Sequence, residues 1–238
     1  MTKFSYTSIP REDRKPTVGL IVLQSDETLE PEMHQWLPAA EYDVLVSRVP
    51  SGEEVTEETL GEMANHITDA ARLFPRSARF EAVAYCCTSG TSVIGADQVE
   101  TMITAGCETK NVTNPLTALV AACEKRNIAK LAFLSPYVER VSEHLRSVLL
   151  SHGIESPEFG TFNEGQEAKV AWIDERSIHA ALMKLTNASH IDGVFLSCTN
   201  LKTHDFIQDL EHEFDLPVLS SNSVLAEHLL DLAGHGVS

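Results

Sequence analysis

Phe80-Glu81-Ala82-Val83-Ala84-Tyr85-Cys86-Cys87-Thr88-Ser89-Gly90-Thr91 is a buried-strand pattern that runs straight into Cys-Thr-Ser-Gly. The second half of the chain repeats the device in Ile191-Asp192-Gly193-Val194-Phe195-Leu196-Ser197-Cys198-Thr199-Asn200. Each stretch puts one thiol at the carboxyl end of a strand, which is where open α/β sheets bind their ligands. Two thiols facing each other across one ligand can pass a proton in and out from opposite faces. Alternatively, one adds covalently while the other donates a proton.

Outward from these stretches, strand and helix patterns alternate. Thr17–Leu23 is a continuous apolar run of the kind buried on both faces. Residues 42–49 read as a second strand and 81–86 as a third. Thr56 reads as the cap of a helix with Glu57 and Glu58 in its first turn, where they suit the helix dipole. Leu60, Met63, Ala64, Ile67, Ala70 and Ala71 form the stripe of that helix at helical spacing. Leu116, Leu119, Val120 and Cys123 mark the next helix. The second half restarts with a strand over 130–134, followed by Ser135-Pro136-Tyr137 and a helix over about 138–151 that Gly153 stops. Ile178, Ala181, Leu182 and Leu185 stripe a further helix. Strands at Gly193–Leu196 and 216–219 precede Ser220-Ser221-Asn222-Ser223 and a last helix over 224–232.

This alternation implies mostly parallel sheets with helices on both faces. The expected fold is α/β, with two pseudo-symmetric Rossmann-like subdomains and the active site in the cleft between them. The first subdomain spans 1–115 and is joined by the C-terminal helix, 224–238. The second spans 116–223, with the joint near Thr113 to Pro115.

The 238 residues suffice for one large α/β domain or two small ones sharing a cleft. Only the first dozen residues and the Gly-His-Gly tail read as disordered. No apolar run approaches the roughly 20 residues that span a bilayer, and the opening residues lack a signal-peptide layout, so the expected location is cytoplasmic. The formal net charge of −17 argues against nucleic-acid and membrane partners, which need a basic face. It leaves room for an anionic substrate held by local backbone donors. Five cysteines, an odd number, read as free thiols rather than a disulfide framework. No Cys or His spacing fits a zinc site, so no metal is expected.

The turn Thr88-Ser89-Gly90-Thr91 has the small residues of a tight strand-to-helix connection. Its exposed N–H groups make an anion site and are expected to lower the pKa of Cys87. Cys86 points to the opposite face of its strand and belongs to the core. Cys123 lies on an apolar helical stripe, and Cys107 sits in a polar connection. Ser25 and Asp26 follow the first strand and face the same cleft; Asp26 reads equally as a helix N-cap. Tyr137, after the first strand of the second half, offers a phenol donor. The histidines are scattered, and His204 reads as a solvated helix position.

Gly19-Leu20-Ile21-Val22 with Ser25-Asp26, Cys87-Thr88-Ser89-Gly90-Thr91, Ser135-Pro136-Tyr137 and Ser197-Cys198-Thr199-Asn200-Leu201 together resemble the aspartate/glutamate racemase superfamily. Within it, the chain looks like the branch holding maleate cis-trans isomerases, arylmalonate decarboxylases and the racemase-like protein of ectoine utilisation. The resemblance implies catalytic roles for Cys87 and Cys198. It implies that Thr88, Ser89, Tyr137 and Thr199 hold a substrate carboxylate, and matches Asn163 to an asparagine that binds substrate in the isomerases; Ser25, Asp26 and Asn200 are the further substrate-binding candidates. It also implies no cofactor, a small carboxylate substrate and a homodimer. Decarboxylases of this branch keep only the second cysteine, so two cysteines favour a racemase or isomerase.

Isomerases of the branch carry asparagine where this chain has Asp26. A carboxylate repels a dicarboxylate in a desolvated pocket and suits a substrate with a positive group; it equally suits a base that activates Cys87, the role that the resemblance to amino-acid racemases implies. An ectoine-utilisation protein, an arylmalonate-type decarboxylase and a catalytically inactive carboxylate-binding homologue remain the alternatives.

Overall fold

The computed structural model describes residues 1–187 and 190–234. The first half runs β1 (Thr17–Leu23), α1 (Leu29–Trp36), β2 (Asp43–Val49), α2 (Glu57–Glu62), α3 (Ala64–Arg72), β3 (Ala82–Cys86), α4 (Thr88–Ile94), α5 (Ala96–Thr104) and β4 (Val112–Thr113). The second continues with α6 (Pro115–Arg126), β5 (Lys130–Tyr137), α7 (Glu139–Ser151), β6 (Glu155–Glu164), α8 (Glu167–Val170), α9 (Glu175–Leu185), β7 (Gly193–Leu196), α10 (Ile207–Phe214), β8 (Val218–Ser220) and α11 (Ser221–Leu232). A single 3₁₀ turn, Arg11–Asp13, precedes β1.

Two four-stranded sheets form, in the orders β2-β1-β3-β4 and β6-β5-β7-β8. Every pairing between strands is parallel. The two orders are the same once the halves are superposed in sequence. In each, the chain leaves the first strand of the half to one side and returns on the other, so a switch point lies between β1 and β3 and another between β5 and β7.

Alternation along the central strands sorts the core into two layers. Val18, Leu20 and Val22 pack with Ala82, Ala84 and Cys86 on one side. Ile21 and Leu23 pack with Val83, Tyr85 and Cys87 on the other. Cys86 and Cys87 therefore face opposite ways. Both layers run through both halves: Phe133 and Phe195 belong to the first, Leu134 and Leu196 to the second.

Several elements depart from the sequence expectation. The helix capped by Thr56 breaks at Met63 into α2 and α3. Ser135-Pro136-Tyr137 completes β5 instead of following it, because β6 supplies a partner as far as Tyr137. The β6 strand gave no sequence signal. It is a polar, half-exposed edge strand whose register slips around Pro157, and an edge is where proline is tolerated. Ser220 through Ser223 form the cap and first turn of α11 in a capping box, each hydroxyl bonding the other residue's main chain. His204 lies in a half-buried turn outside any helix, edge-on to Trp36 with ring centroids 4.6 Å apart.

Helix α11 packs on α1, α6 and β3. Residues 235–238 of the expected C-terminal segment lie outside the described residues. Among the described residues, no helix is long and apolar enough to cross a membrane.

Candidate active site

The four inner strands, β1, β3, β5 and β7, end around one small cavity. It is lined by Asp26, Cys87, Thr88, Ser89, Tyr137, Glu167, Cys198, Thr199 and Asn200, with Leu23 and Leu60. The two switch points thus face each other. The loop after β1 brings Asp26, the turn after β3 brings Cys87, the end of β5 brings Tyr137, and the turn after β7 brings Cys198.

Hydrogen bonds stitch the halves together around it. Glu27 N–H donates to Asn200 Oδ1 at 2.9 Å, and the Thr28 hydroxyl to the Asn200 carbonyl at 3.0 Å. The Thr88 hydroxyl donates to Ser221 Oγ at 2.8 Å, and Ser221 Oγ accepts from Cys198 N–H at 2.9 Å. Glu32, buried under the loop, accepts from the N–H groups of Thr203 and His204 and from Asn222 Nδ2. The enclosed space is about 10 Å³, room for about one water.

Cys87 caps α4, and its Sγ accepts the Gly90 N–H at 3.1 Å. That donor favours thiolate, as the sequence implied, but burial outweighs it. Desolvation, reinforced by Glu167 and Asp26, pushes the thiol up to about 12. The expected lowering of the Cys87 pKa is therefore corrected: the turn supplies one donor while the cavity removes the water. Cys198 behaves alike. Its Sγ accepts from Asn200 N–H at 3.2 Å and lies 2.8 Å from the Tyr137 hydroxyl. Burial and the Glu167 charge push it well above the usual thiol range. Cys198 also holds φ at 109°, a conformation that costs a non-glycine residue roughly 1–3 kcal/mol and clusters at functional sites.

Gly90 is small for a reason. A Cβ there would sit 2.7 Å from Tyr85 Oη, 2.9 Å from Cys87 Sγ and 3.0 Å from Met63 Cε. Gly90→Ala is expected to destabilise the fold by about 1–3 kcal/mol through overpacking. Displacing Cys87 should also cost roughly 10²-fold in turnover. Denaturant titration and kcat measure the two separately.

Eight of the ten residues singled out from sequence line the cavity; Ser25 and Asn163 do not. The Ser25 hydroxyl bonds Ser51 Oγ at 3.0 Å, because the chain turns outward there. Asn163 is exposed with φ at 55°, and its N–H bonds Thr161 Oγ1. Beyond it the chain bends back, and Glu167 enters the cleft in its place. Of the expected hydroxyl donors, Thr88, Tyr137 and Thr199 are already committed, to Ser221, Glu167 and the Cys86 carbonyl. Of those four donors, only the Ser89 hydroxyl makes no hydrogen bond among the described residues. Asp26 lines the cavity, and its Oδ1 accepts the N–H groups of Thr28, the N-cap of α1, and of Leu29 at 2.9 and 2.8 Å.

Glu167 is the residue that sequence reasoning missed. Its Oε1 accepts from the Tyr137 hydroxyl at 2.6 Å and its Oε2 from Asn200 Nδ2 at 3.2 Å. It is carried inward by a clip in which Val55 N–H donates to the Gly165 carbonyl and Glu167 N–H to the Glu53 carbonyl. In sequence, Glu167 is one acid in a polar stretch and carries no signal of burial.

A family model described as arylmalonate decarboxylase matches residues 18–238. No curated protein matches the chain. Among solved structures, a maleate isomerase from Pseudomonas putida S16 with maleate is similar at a TM-score of 0.81, with 19% identity over 91% of each chain. A Nocardia farcinica maleate cis-trans isomerase mutant with a covalently bound succinylcysteine intermediate gives 0.81, with 21% identity over 93% of this chain and 94% of that one. A double mutant of arylmalonate decarboxylase in the liganded form gives 0.81, with 23% identity over 94% and 95%.

Proposed function

The chain belongs to the arylmalonate decarboxylase family, and from that membership we propose that it is a cofactor-independent racemase or isomerase of a small carboxylate, working through Cys87 and Cys198. The observation that carries this reading is the pair of buried thiols at the ends of β3 and β7, lining one cavity. Two acids on opposite sides of one carbon suit inversion. One sulfur, as thiolate, takes the α-proton; the electron pair left behind spreads onto the carboxylate as an enediolate; the other thiol returns a proton to the opposite face. The Ser89 hydroxyl and the N–H groups of Thr88 and Ser89, which have no intrahelical acceptor, are the donors for the developing oxyanion.

For an alkene substrate the same pair works covalently. Cys87 adds to the double bond as Cys198 protonates the neighbouring carbon, the resulting single bond rotates, and elimination restores both groups. The succinylcysteine intermediate in the Nocardia farcinica isomerase favours this variant for an alkene. The family description itself favours a second reading, decarboxylation of a substituted malonate. There Cys198 alone protonates the enediolate left by carbon dioxide.

Proton NMR in deuterium oxide separates these reactions. The substrates are the aspartate and glutamate enantiomers, maleate, hydroxyectoine and a 2-substituted malonate. Loss of an α-proton signal, or growth of a fumarate signal, is the expected result. Carbon dioxide release from the malonate alone would replace the isomerase by the lyase. Silence across the panel with reduced thiols would leave a carboxylate-binding protein.

A further inference from the structure

We propose that Asp26 and Glu167 form a cation subsite, so that the substrate carries an ammonium or amidinium nitrogen close to its carboxylate. The inference rests on the reading of this cleft as the active site and names the class of molecule it takes.

The lining holds two carboxyl groups and two thiols but no lysine, arginine or histidine among the described residues. A dicarboxylate therefore meets no positive side chain there. The nearest cation, Arg48, is committed elsewhere. Its guanidinium donates to the main-chain carbonyls of Leu23, Gln24 and Asp26 and pairs with Glu30 at 2.5 Å, on the outer side of the loop.

The two carboxyl groups are held in different ways. Glu167 accepts a donor on each oxygen, the Tyr137 hydroxyl on Oε1 and the Asn200 amide on Oε2. Those two donors favour its charged form, against a burial that opposes it. Asp26 is 4% exposed. Its Oδ1 is saturated by two main-chain N–H groups, while its Oδ2 is buried and makes no hydrogen bond. The neighbouring Thr199 hydroxyl favours the charged form but donates its own bond to the Cys86 carbonyl.

A buried carboxylate oxygen without a donor is costly. At a site lined by sulfur and carboxyl groups, an N–H cation is the ligand that supplies the missing donor and cancels the wall charge. A second substrate carboxylate would instead add like charge where water is excluded. Burial pushes both carboxyl groups above the usual range, Asp26 and Glu167 alike, and a cation bound between them would lower both.

The test is a binding series on the intact protein. Proline and ectoine supply a cationic nitrogen beside a carboxylate; cyclopentanecarboxylate matches proline without the nitrogen; maleate carries two carboxylates. Calorimetry on wild type, Asp26→Asn, Glu167→Gln and the double variant reads the preference, with circular dichroism checking each fold. Wild type is expected to bind at least one cationic probe about tenfold or more tighter than cyclopentanecarboxylate and maleate, the scale of one charge-assisted bond. The double variant is expected to lose that margin while binding maleate equally well or better. No binding by either cationic probe, tighter binding of maleate to wild type, or an unchanged preference in the folded double variant would overturn the subsite. Deuterium exchange keeps this separate from the reaction. A bound cationic probe that never exchanges its α-proton supports the subsite and counts against the racemase, whereas turnover of maleate without cation preference does the reverse.

Discussion

Serine in place of Cys87 or of Cys198 is expected to lower kcat/KM by at least about 10³-fold while leaving the fold intact. Serine keeps the shape of each side chain. At Cys87 it can still accept the Gly90 N–H, and at Cys198 the Asn200 N–H, so the turns should stay closed. What changes is acidity: a hydroxyl holds its proton far more tightly than a thiol and neither gives nor takes it on the catalytic timescale. If each sulfur serves one face of the carbon, the two single variants should fail alike. The double variant should then be little worse than either, because half a relay has no partial activity. Under covalent isomerisation, Cys87→Ser abolishes adduct formation. Cys198→Ser instead slows both formation and reversal of the adduct, so a mass increase on Cys87 should build up only over long incubation. Under decarboxylation, Cys87→Ser retains most activity and Cys198→Ser loses it. Racemisation at near wild-type rate by either folded variant would end the two-thiol mechanism.

The architecture was readable because its signals are local. Apolar runs such as Thr17–Leu23 and 81–86 fall on β1 and β3 to within a residue, and the repeat of Cys-Thr after a strand marked both switch points. What stayed hidden is non-local or atypical. The β6 strand is polar at the sheet edge, so neither alternation nor an apolar run betrays it. Glu167 is buried only because residues 53–55 clip onto 165–167, two segments far apart in sequence. Asn163 entered only through the family resemblance, as a match to a substrate-binding asparagine, and the backbone leaves it exposed. The thiol pKa was misjudged for a related reason. Sequence exposes the donors of a turn but not how much water the opposite half of the molecule excludes.

That misjudgement has a measurable consequence: in the ligand-free protein, iodoacetamide should label Cys87 slowly at neutral pH. With the thiol pushed up to about 12, only about 10⁻⁵ of it is thiolate at pH 7, against about 10⁻² for a thiol at 9, roughly a 10³-fold deficit before access is counted. The rate should climb about tenfold per pH unit with no plateau below pH 10. Fast labelling at pH 7 would mean a resting thiolate and would remove burial as the dominant influence. Stability follows the same proton. The folded chain holds it more tightly than the unfolded chain, so Cys87 leaves stability unchanged below about pH 9 and lowers it as pH rises toward 12. Cys87→Ser should flatten that alkaline loss. Ionising the thiol at pH 7 in the empty site costs about 7 kcal/mol, far too much for rapid proton abstraction, so the substrate itself must lower the cost. Asp26 and Glu167 raise the thiol by their charge, and a cation bound between them would cancel that influence and add its own attraction. Thiolate absorbance near 240 nm should therefore rise at neutral pH when an ammonium or amidinium carboxylate binds, and stay flat with maleate. The same negative wall would then both select the substrate and keep the sulfur protonated until that substrate arrives.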